Sequence, residues 1–182
     1  MTRIVAISGS LRKGSFNTAL LRAAAQVAPE GVHVDVATLH GIPLYDGDLE
    51  DREGLPKAVR QLKDLVNGAD GVIIATPEYN HSFPGVLKNA LDWMSRPPTG
   101  DVRVFSGKPV ALTGASTGPV GTRMAQAALL PTLRALGTIP WFGRLLFVSN
   151  AADCFDESGN LIDEKMKSRL AEFIKDFADF TK

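Results

Sequence analysis

Arg3-Ile4-Val5-Ala6-Ile7-Ser8-Gly9-Ser10-Leu11-Arg12-Lys13-Gly14-Ser15-Phe16-Asn17-Thr18 runs from an apolar stretch, through a polar loop with two glycines, into an Ala/Leu-rich stretch. The first part, Arg3 to Ser8, reads as a short buried strand. Asn17 to Val27 reads as a helix. The opening unit is therefore strand, loop, helix, and the alternation continues outward from it. Val32 to Thr38 alternates with period two, as a strand does. Gly41 to Gly54 is rich in Pro, Gly and Asp and reads as a loop. Leu55 to Asn67 is helical, with Pro56 near its first turn. Asp70 to Thr76 is a buried strand, and Pro84 to Ser95 is a helix. Pro109 to Thr113 is another buried strand. Pro119 to Leu136 is mostly helical, with Pro131 expected to kink or divide it. Thr138 to Ser149 holds a strand, best placed at Leu145 to Val148. Leu161 to Phe180 is an amphipathic helix with Ile162, Met166, Leu170, Phe173, Ile174 and Phe177 on one side.

Five β/α pairs result. Strands that are continuously apolar imply a parallel sheet covered on both faces. The expected fold class is α/β, a three-layer doubly wound domain with a five-stranded parallel sheet, spanning residues 1–182 as one unit.

Composition narrows the partners. The chain has 182 residues, with 20 Lys plus Arg against 20 Asp plus Glu, so its net charge is zero. That argues against nucleic acid as the main partner and against an electrostatic membrane anchor. Cys154 is the single cysteine, so no internal disulfide forms, and His33, His40 and His81 are too scattered for a familiar metal spacing. The apolar run after Met1-Thr2-Arg3 is too short for a signal peptide or a membrane span. A cytoplasmic location is expected.

Ligands of open parallel sheets bind at the carboxyl ends of the strands, near the switch in strand order. The loop Gly9 to Thr18 lies there. Gly9 and Gly14 would let backbone N–H groups approach an anion. Ser10, Ser15, Asn17 and Thr18 offer neutral donors, Arg12 and Lys13 offer charge, and the helix N-terminus adds free amides. A plain capping role for Ser15 or Asn17 accounts for part of this. It does not account for two cations at a helix start, where the dipole disfavours them. A phosphate reconciles the two. Neither G-x-x-x-x-G-K-[ST] nor G-x-G-x-x-G is present.

The third strand leads into Thr76-Pro77-Glu78-Tyr79-Asn80-His81-Ser82-Phe83-Pro84-Gly85, where prolines stiffen a loop carrying aromatic and amide groups. Such a loop suits a planar heteroaromatic ring, or is simply a stiff turn before a helix. The fourth strand leads into Gly114-Ala115-Ser116-Thr117-Gly118-Pro119-Val120-Gly121, whose small residues permit close backbone approach to a ligand or merely a flexible turn.

At GSLRKGSFN (Gly9–Asn17), IPLYD (Ile42–Asp46), TPEYN (Thr76–Asn80) and PGVLKNALDW (Pro84–Trp93) the chain resembles the NADPH-dependent FMN reductase family, which includes bacterial chromate, quinone and azo-dye reductases. The resemblance runs through nearly the whole chain. It implies a flavodoxin-like fold with bound FMN as cofactor and NADPH or NADH as co-substrate. It implies that Ser10, Arg12, Ser15 and Asn17 hold the FMN phosphate, with Leu11 and Phe16 supporting the loop. Pro77, Glu78, Tyr79 and Asn80 would line the flavin ring, largely through backbone groups. Ser116, Thr117 and Gly118 would reach the ring or the ribityl chain. His81, where some relatives carry an aromatic residue, and Pro131 depart from the pattern.

On this reading the flavin is the redox centre, and no dedicated catalytic side chain is required. Electrons pass in ping-pong fashion from NAD(P)H to a quinone, a metal oxyanion or an azo compound. Glu78 should point away from a ring that becomes anionic on reduction, towards solvent, a partner subunit or a cation. Cys154 is a bystander. Val86, Leu87, Ala90, Leu91, Trp93 and Met94 form an apolar arc that core packing explains by default. Pairing of subunits through that helix, as the family commonly does, would give a homodimer or homotetramer. Two other readings compete: a flavodoxin-type electron carrier, and a flavodoxin-like nucleotide-processing enzyme without flavin. The cations of the first loop and the zero net charge oppose the carrier, and the lack of a catalytic carboxylate pair opposes the nucleotide enzyme.

Overall fold

The computed structural model describes residues 1–96 and 103–182. The strands β1 (Thr2–Ser8), β2 (Val32–Ala37), β3 (Gly71–Ala75), β4 (Pro109–Ala115) and β5 (Ile139–Val148) form one sheet in the order β2-β1-β3-β4-β5. All four pairings are parallel. The order reverses between β1 and β3, which places the switch point beside the carboxyl end of β1.

Successive side chains of a strand face opposite ways, and β1 shows how that builds three layers. Ile4 and Ala6 join one apolar cluster with Leu20 and Leu21 of α1 (Phe16–Gln26) and Leu170, Phe173 and Phe177 of α7 (Glu164–Phe180). Val5 and Ile7 join another with Leu62 and Val66 of α3 (Lys57–Asn67), Leu87 and Leu91 of α4 (Gly85–Met94), and Leu129 and Leu133 of α5 (Arg123–Ala135). Both faces of the sheet are covered, as the continuous apolar runs require.

Differences from the sequence reading have local causes. The Gly41–Gly54 loop contains a short helix, α2 (Gly47–Glu53), capped by Asp46, whose carboxylate accepts from Asp48 N–H at 3.0 Å. None of its residues is buried, so no apolar period marks it. The segment before it is strapped to α4. Trp93 Nε1 and Asn89 Nδ2 both donate to Pro43 O, at 2.9 and 2.8 Å, and the rings of Tyr45 and Trp93 meet edge-on at 4.9 Å. The helix α5 runs through Pro131 as one element. A short helix, α6 (Ala151–Cys154), follows β5. The last helix starts at Glu164, capped by Asp163, which leaves Ile162 outside it and exposed.

The strand β5 is ten residues long rather than four, because its register against β4 slips between Ala111 and Thr113. The residues 142–145 lie in that slip. Trp141, just before it, packs on Phe173 and Phe177 of α7, at 5.3 and 5.4 Å between ring centroids. The apolar arc on α4 is core: Leu87, Ala90, Leu91, Trp93 and Met94 are all buried.

Two contacts fix the ligand end of the sheet. A Cβ on Gly114 would lie 2.3 Å from Thr76 O and 2.2 Å from Thr122 Oγ1, so only glycine lets β4 approach the end of β3 this closely. Asn17, buried in the first turn of α1, donates through Nδ2 to Ala115 O at 3.0 Å and accepts from Ala115 N–H through Oδ1 at 2.9 Å. An Asn17→Ala variant strands both main-chain groups of Ala115, at about 1–3 kcal/mol for each unsatisfied buried group. Urea unfolding should show a loss of roughly 2–4 kcal/mol; a loss within error would remove this pair from the structural account.

Candidate flavin site

The loops after β1, β3 and β4 meet around one cleft lined by Ser10, Arg12, Ser15, Phe16, Asn17, Pro77, Glu78, Tyr79, Ala115, Ser116 and Thr117. Its volume is about 130 Å³. Ten of the thirteen residues expected from the sequence line it. Leu11, Asn80 and Gly118 do not, and Ala115 is an addition.

At the floor of the cleft, Ser15 caps α1 by accepting from Thr18 N–H at 3.3 Å. The Ser10 hydroxyl accepts from Arg12 N–H at 3.3 Å, which curls the loop over itself. Capping therefore explains Ser15, and the Asn17 side chain is committed to Ala115. What stays available to an anion is the main chain: among the described residues, the N–H groups of Phe16 and Asn17 meet no acceptor, as expected of the first positions of a helix. Arg12 and Lys13 form no ion pair among the described residues. Free amides, a helix N-terminus and unpaired cations suit a phosphomonoester.

The glycines play other parts than expected. Gly9 donates its N–H to Ala75 O at 2.8 Å, and a Cβ there would crowd Ala75 O and the Leu87 side chain at 3.2 Å. It serves packing between β1 and β3. Gly14 has open space where a Cβ would sit.

Leu11 stands outside the cleft, but its carbonyl is held. His40 contacts Leu11 O through Nε2 at 3.2 Å and the Thr38 hydroxyl through Nδ1 at 3.2 Å. A carbonyl only accepts, so Nε2 carries the proton. Nothing in the sequence links residues 40 and 11, and only the β1–β2 pairing brings them together. Phe16 packs on Phe155, 5.6 Å between centroids, which braces the loop from behind.

The second wall is a tight turn. Tyr79 N–H donates to Ser82 O at 2.9 Å, and Ser82 N–H donates to Tyr79 O at 3.0 Å. Asn80 and His81 have φ of 53° and 61°, both left-handed. Such non-glycine conformations cost on the order of 1–3 kcal/mol each. The main chain of Tyr79 is spent on the turn, so its half-exposed ring is what it offers the cleft, not backbone groups.

Glu78 lines the cleft, and its carboxylate is tied to main-chain amides. Its Oε2 accepts from Met124 N–H at 2.9 Å and Ala125 N–H at 3.1 Å, the first amides of α5. The positive end of a helix dipole thus takes the role reserved for a cation. Its Oε1 stands 3.6 Å from His81 Nδ1.

The third wall is self-structured. Ser116 Oγ donates to Gly121 O at 3.1 Å and accepts from Gly118 N–H at 3.2 Å, while Ser116 N–H donates to Val148 O. Cys154 is buried nearby in α6, where burial pushes its thiol up and keeps it protonated and inert.

The chain is similar to proteins of known activity. The family model for NADPH-dependent FMN reductase matches residues 2–153. An NAD(P)H-dependent FMN reductase of Pseudomonas aeruginosa is 43% identical over 170 residues, covering 93% of this chain and 90% of that protein. A quinone reductase of Escherichia coli K12 is 36% identical, covering 98% and 94%. Among solved structures, the flavoenzyme NAD(P)H:(acceptor) oxidoreductase FerB of Paracoccus denitrificans superposes with a TM-score of 0.87 at 32% identity, covering 100% of this chain and 97% of that one. The chain belongs to the NADPH-dependent FMN reductase family and is an oxidoreductase with FMN as cofactor and NAD(P)H as co-substrate.

Proposed function

We propose that the protein passes electrons from NAD(P)H to quinones by way of FMN seated in the three-loop cleft. The carrying observation is the juxtaposition of the unpaired Arg12 and free helix amides with the half-exposed ring of Tyr79 at one switch point. The cleft is smaller than the roughly 300 Å³ at which drug-sized sites begin. It suits the phosphate and chain of FMN, with the ring on the open side beside Tyr79. Bound there, FMN supplies two-electron chemistry between a nicotinamide and an acceptor.

The protein's part is to hold and to expose. Arg12 and the Phe16 and Asn17 amides would hold the phosphate. Glu78, tied to α5, keeps the ring-side loop in place while its charge faces a helix end. A cleft that stays open beside Tyr79 would admit donor and acceptor in turn, which favours a ping-pong order. It also leaves metal oxyanions and azo compounds within reach as acceptors. The named activities of the Pseudomonas and Escherichia relatives, and a 38% identical 2-hydroxy-1,4-benzoquinone reductase of a Burkholderia species, support the quinone reading.

Among the described residues, no helix is long and apolar enough to cross a membrane. With a single buried thiol, this suits work in the cytoplasm. Self-association draws its support from a different face than α4. Val120, Met124, Ile139, Phe142 and Leu145 are exposed, and an apolar groove between α5 and β5 is lined by Leu130, Pro131, Pro140 and Phe142. A second copy of the chain, as homodimer or within a homotetramer, would cover them.

Purified protein should carry a yellow chromophore identified as FMN, and should oxidise NADPH or NADH when a naphthoquinone is added. A colourless protein that refuses FMN, or a flavoprotein inert towards both nicotinamides, would contradict the reading. The exposed Arg12→Ala variant should bind FMN roughly tenfold more weakly, the loss of one charge-assisted contact, by fluorescence titration. Light scattering should give a dimer or tetramer mass, with Phe142→Glu shifting it towards the monomer; a monomeric wild type would remove that part.

A further inference from the structure

His81 is the member of the ring-side loop to which FMN binding gives no part. It occupies the third position of the turn Tyr79–Ser82, in left-handed backbone that glycine would adopt freely. The side chain is 84% exposed, and Nδ1 lies 3.6 Å from Glu78 Oε1, an ion-pair distance rather than a hydrogen bond. Glu78 is the only ionisable side chain within ion-pairing distance of the imidazole among the described residues. That carboxylate is itself anchored by the Met124 and Ala125 amides and lines the cleft. With the carboxylate on the Nδ1 side, Nε2 lies on the far side of the ring. Among the described residues Nε2 is left without a partner, on the loop whose Pro77, Glu78 and Tyr79 line the cleft.

Reduction of a quinone to its hydroquinone takes two electrons and two protons. A hydride from the reduced cofactor brings both electrons and one proton, so one proton has to come from elsewhere. Building on the quinone-reductase reading above, we propose that His81 is the catalytic acid for this step. Nε2 of the imidazolium gives its proton to a quinone carbonyl oxygen; the N–H bond breaks, an O–H bond forms, and the neutral imidazole regains a proton from bulk water. Imidazole is the side chain that gains and loses a proton most readily near neutrality. The Glu78–His81 pair then accounts for a costly residue at a position where glycine would relax the turn.

The test uses the FMN-loaded protein as wild type, His81→Gly and His81→Gln. Pre-reduced enzyme is mixed with a naphthoquinone, which needs the proton, or with ferricyanide, which takes electrons alone. FMN affinity and melting temperature are measured alongside. For His81→Gly the expected result is an unchanged FMN affinity and an unchanged or higher melting temperature. Quinone reduction should fall roughly tenfold to a hundredfold, less than full loss of general acid catalysis because water substitutes. The ferricyanide rate should not change, and added imidazole should restore the quinone rate. Equal effects on both acceptors, no effect on either, or failure of imidazole to rescue would overturn the proposal. A wild type that oxidises NAD(P)H but gives nothing to quinone would overturn the quinone reading itself and this proposal with it.

Discussion

The amide of Asn17 exchanges two hydrogen bonds with the main chain of Ala115, and the ligand end of the molecule depends on that exchange. A parallel sheet sends every β-to-α loop to the same end but does not set how far apart those loops stand. Asn17 sets the distance between the N-terminus of α1 and the end of β4. Gly114 does the same between β4 and β3, because a side chain there would strike Thr76 O. The three walls of the cleft are thereby spaced by main-chain contacts before any ligand arrives. That is the preorganisation that lets binding energy go to the ligand rather than to ordering loops.

Charge is placed with the same economy. The chain has no net charge, yet the unpaired Arg12 stands in the cleft beside free helix amides, while the one carboxylate on the opposite wall, Glu78, is held by the α5 amides. The cleft is cationic at its phosphate end, and the one negative charge at its other wall is balanced by a helix N-terminus. Balanced charge elsewhere leaves the approach open to an anionic nicotinamide nucleotide without a repelling field.

Much of this could be read from residue order. The runs Arg3–Ser8 and Asp70–Thr76 are continuously apolar, and strands buried on both faces have to be so; the sheet and its layers followed. The loops that build the cleft were legible because strand ends of a doubly wound sheet converge at a known place. What could not be read is who holds whom. Asn17 looks like an anion ligand in sequence, and only its partner 98 positions away shows that its side chain is occupied. His40 supports Leu11 across the β1–β2 pairing with no local signal. The helix α2 is wholly exposed and so lacks an apolar period, and the slip in β5 is a matter of register, which local pattern does not encode. The apolar arc of α4 was visible, but burial and association leave the same trace in a sequence.

The central claim is that the protein grips its cofactor by the phosphate. It is tested most directly by comparing the affinities of the unliganded protein for FMN and for riboflavin, which differ only in that group. Several charge-assisted hydrogen bonds to one phosphate should make FMN bind on the order of a hundredfold more tightly, about 2.7 kcal/mol. Equal affinity for the two flavins would contradict the account.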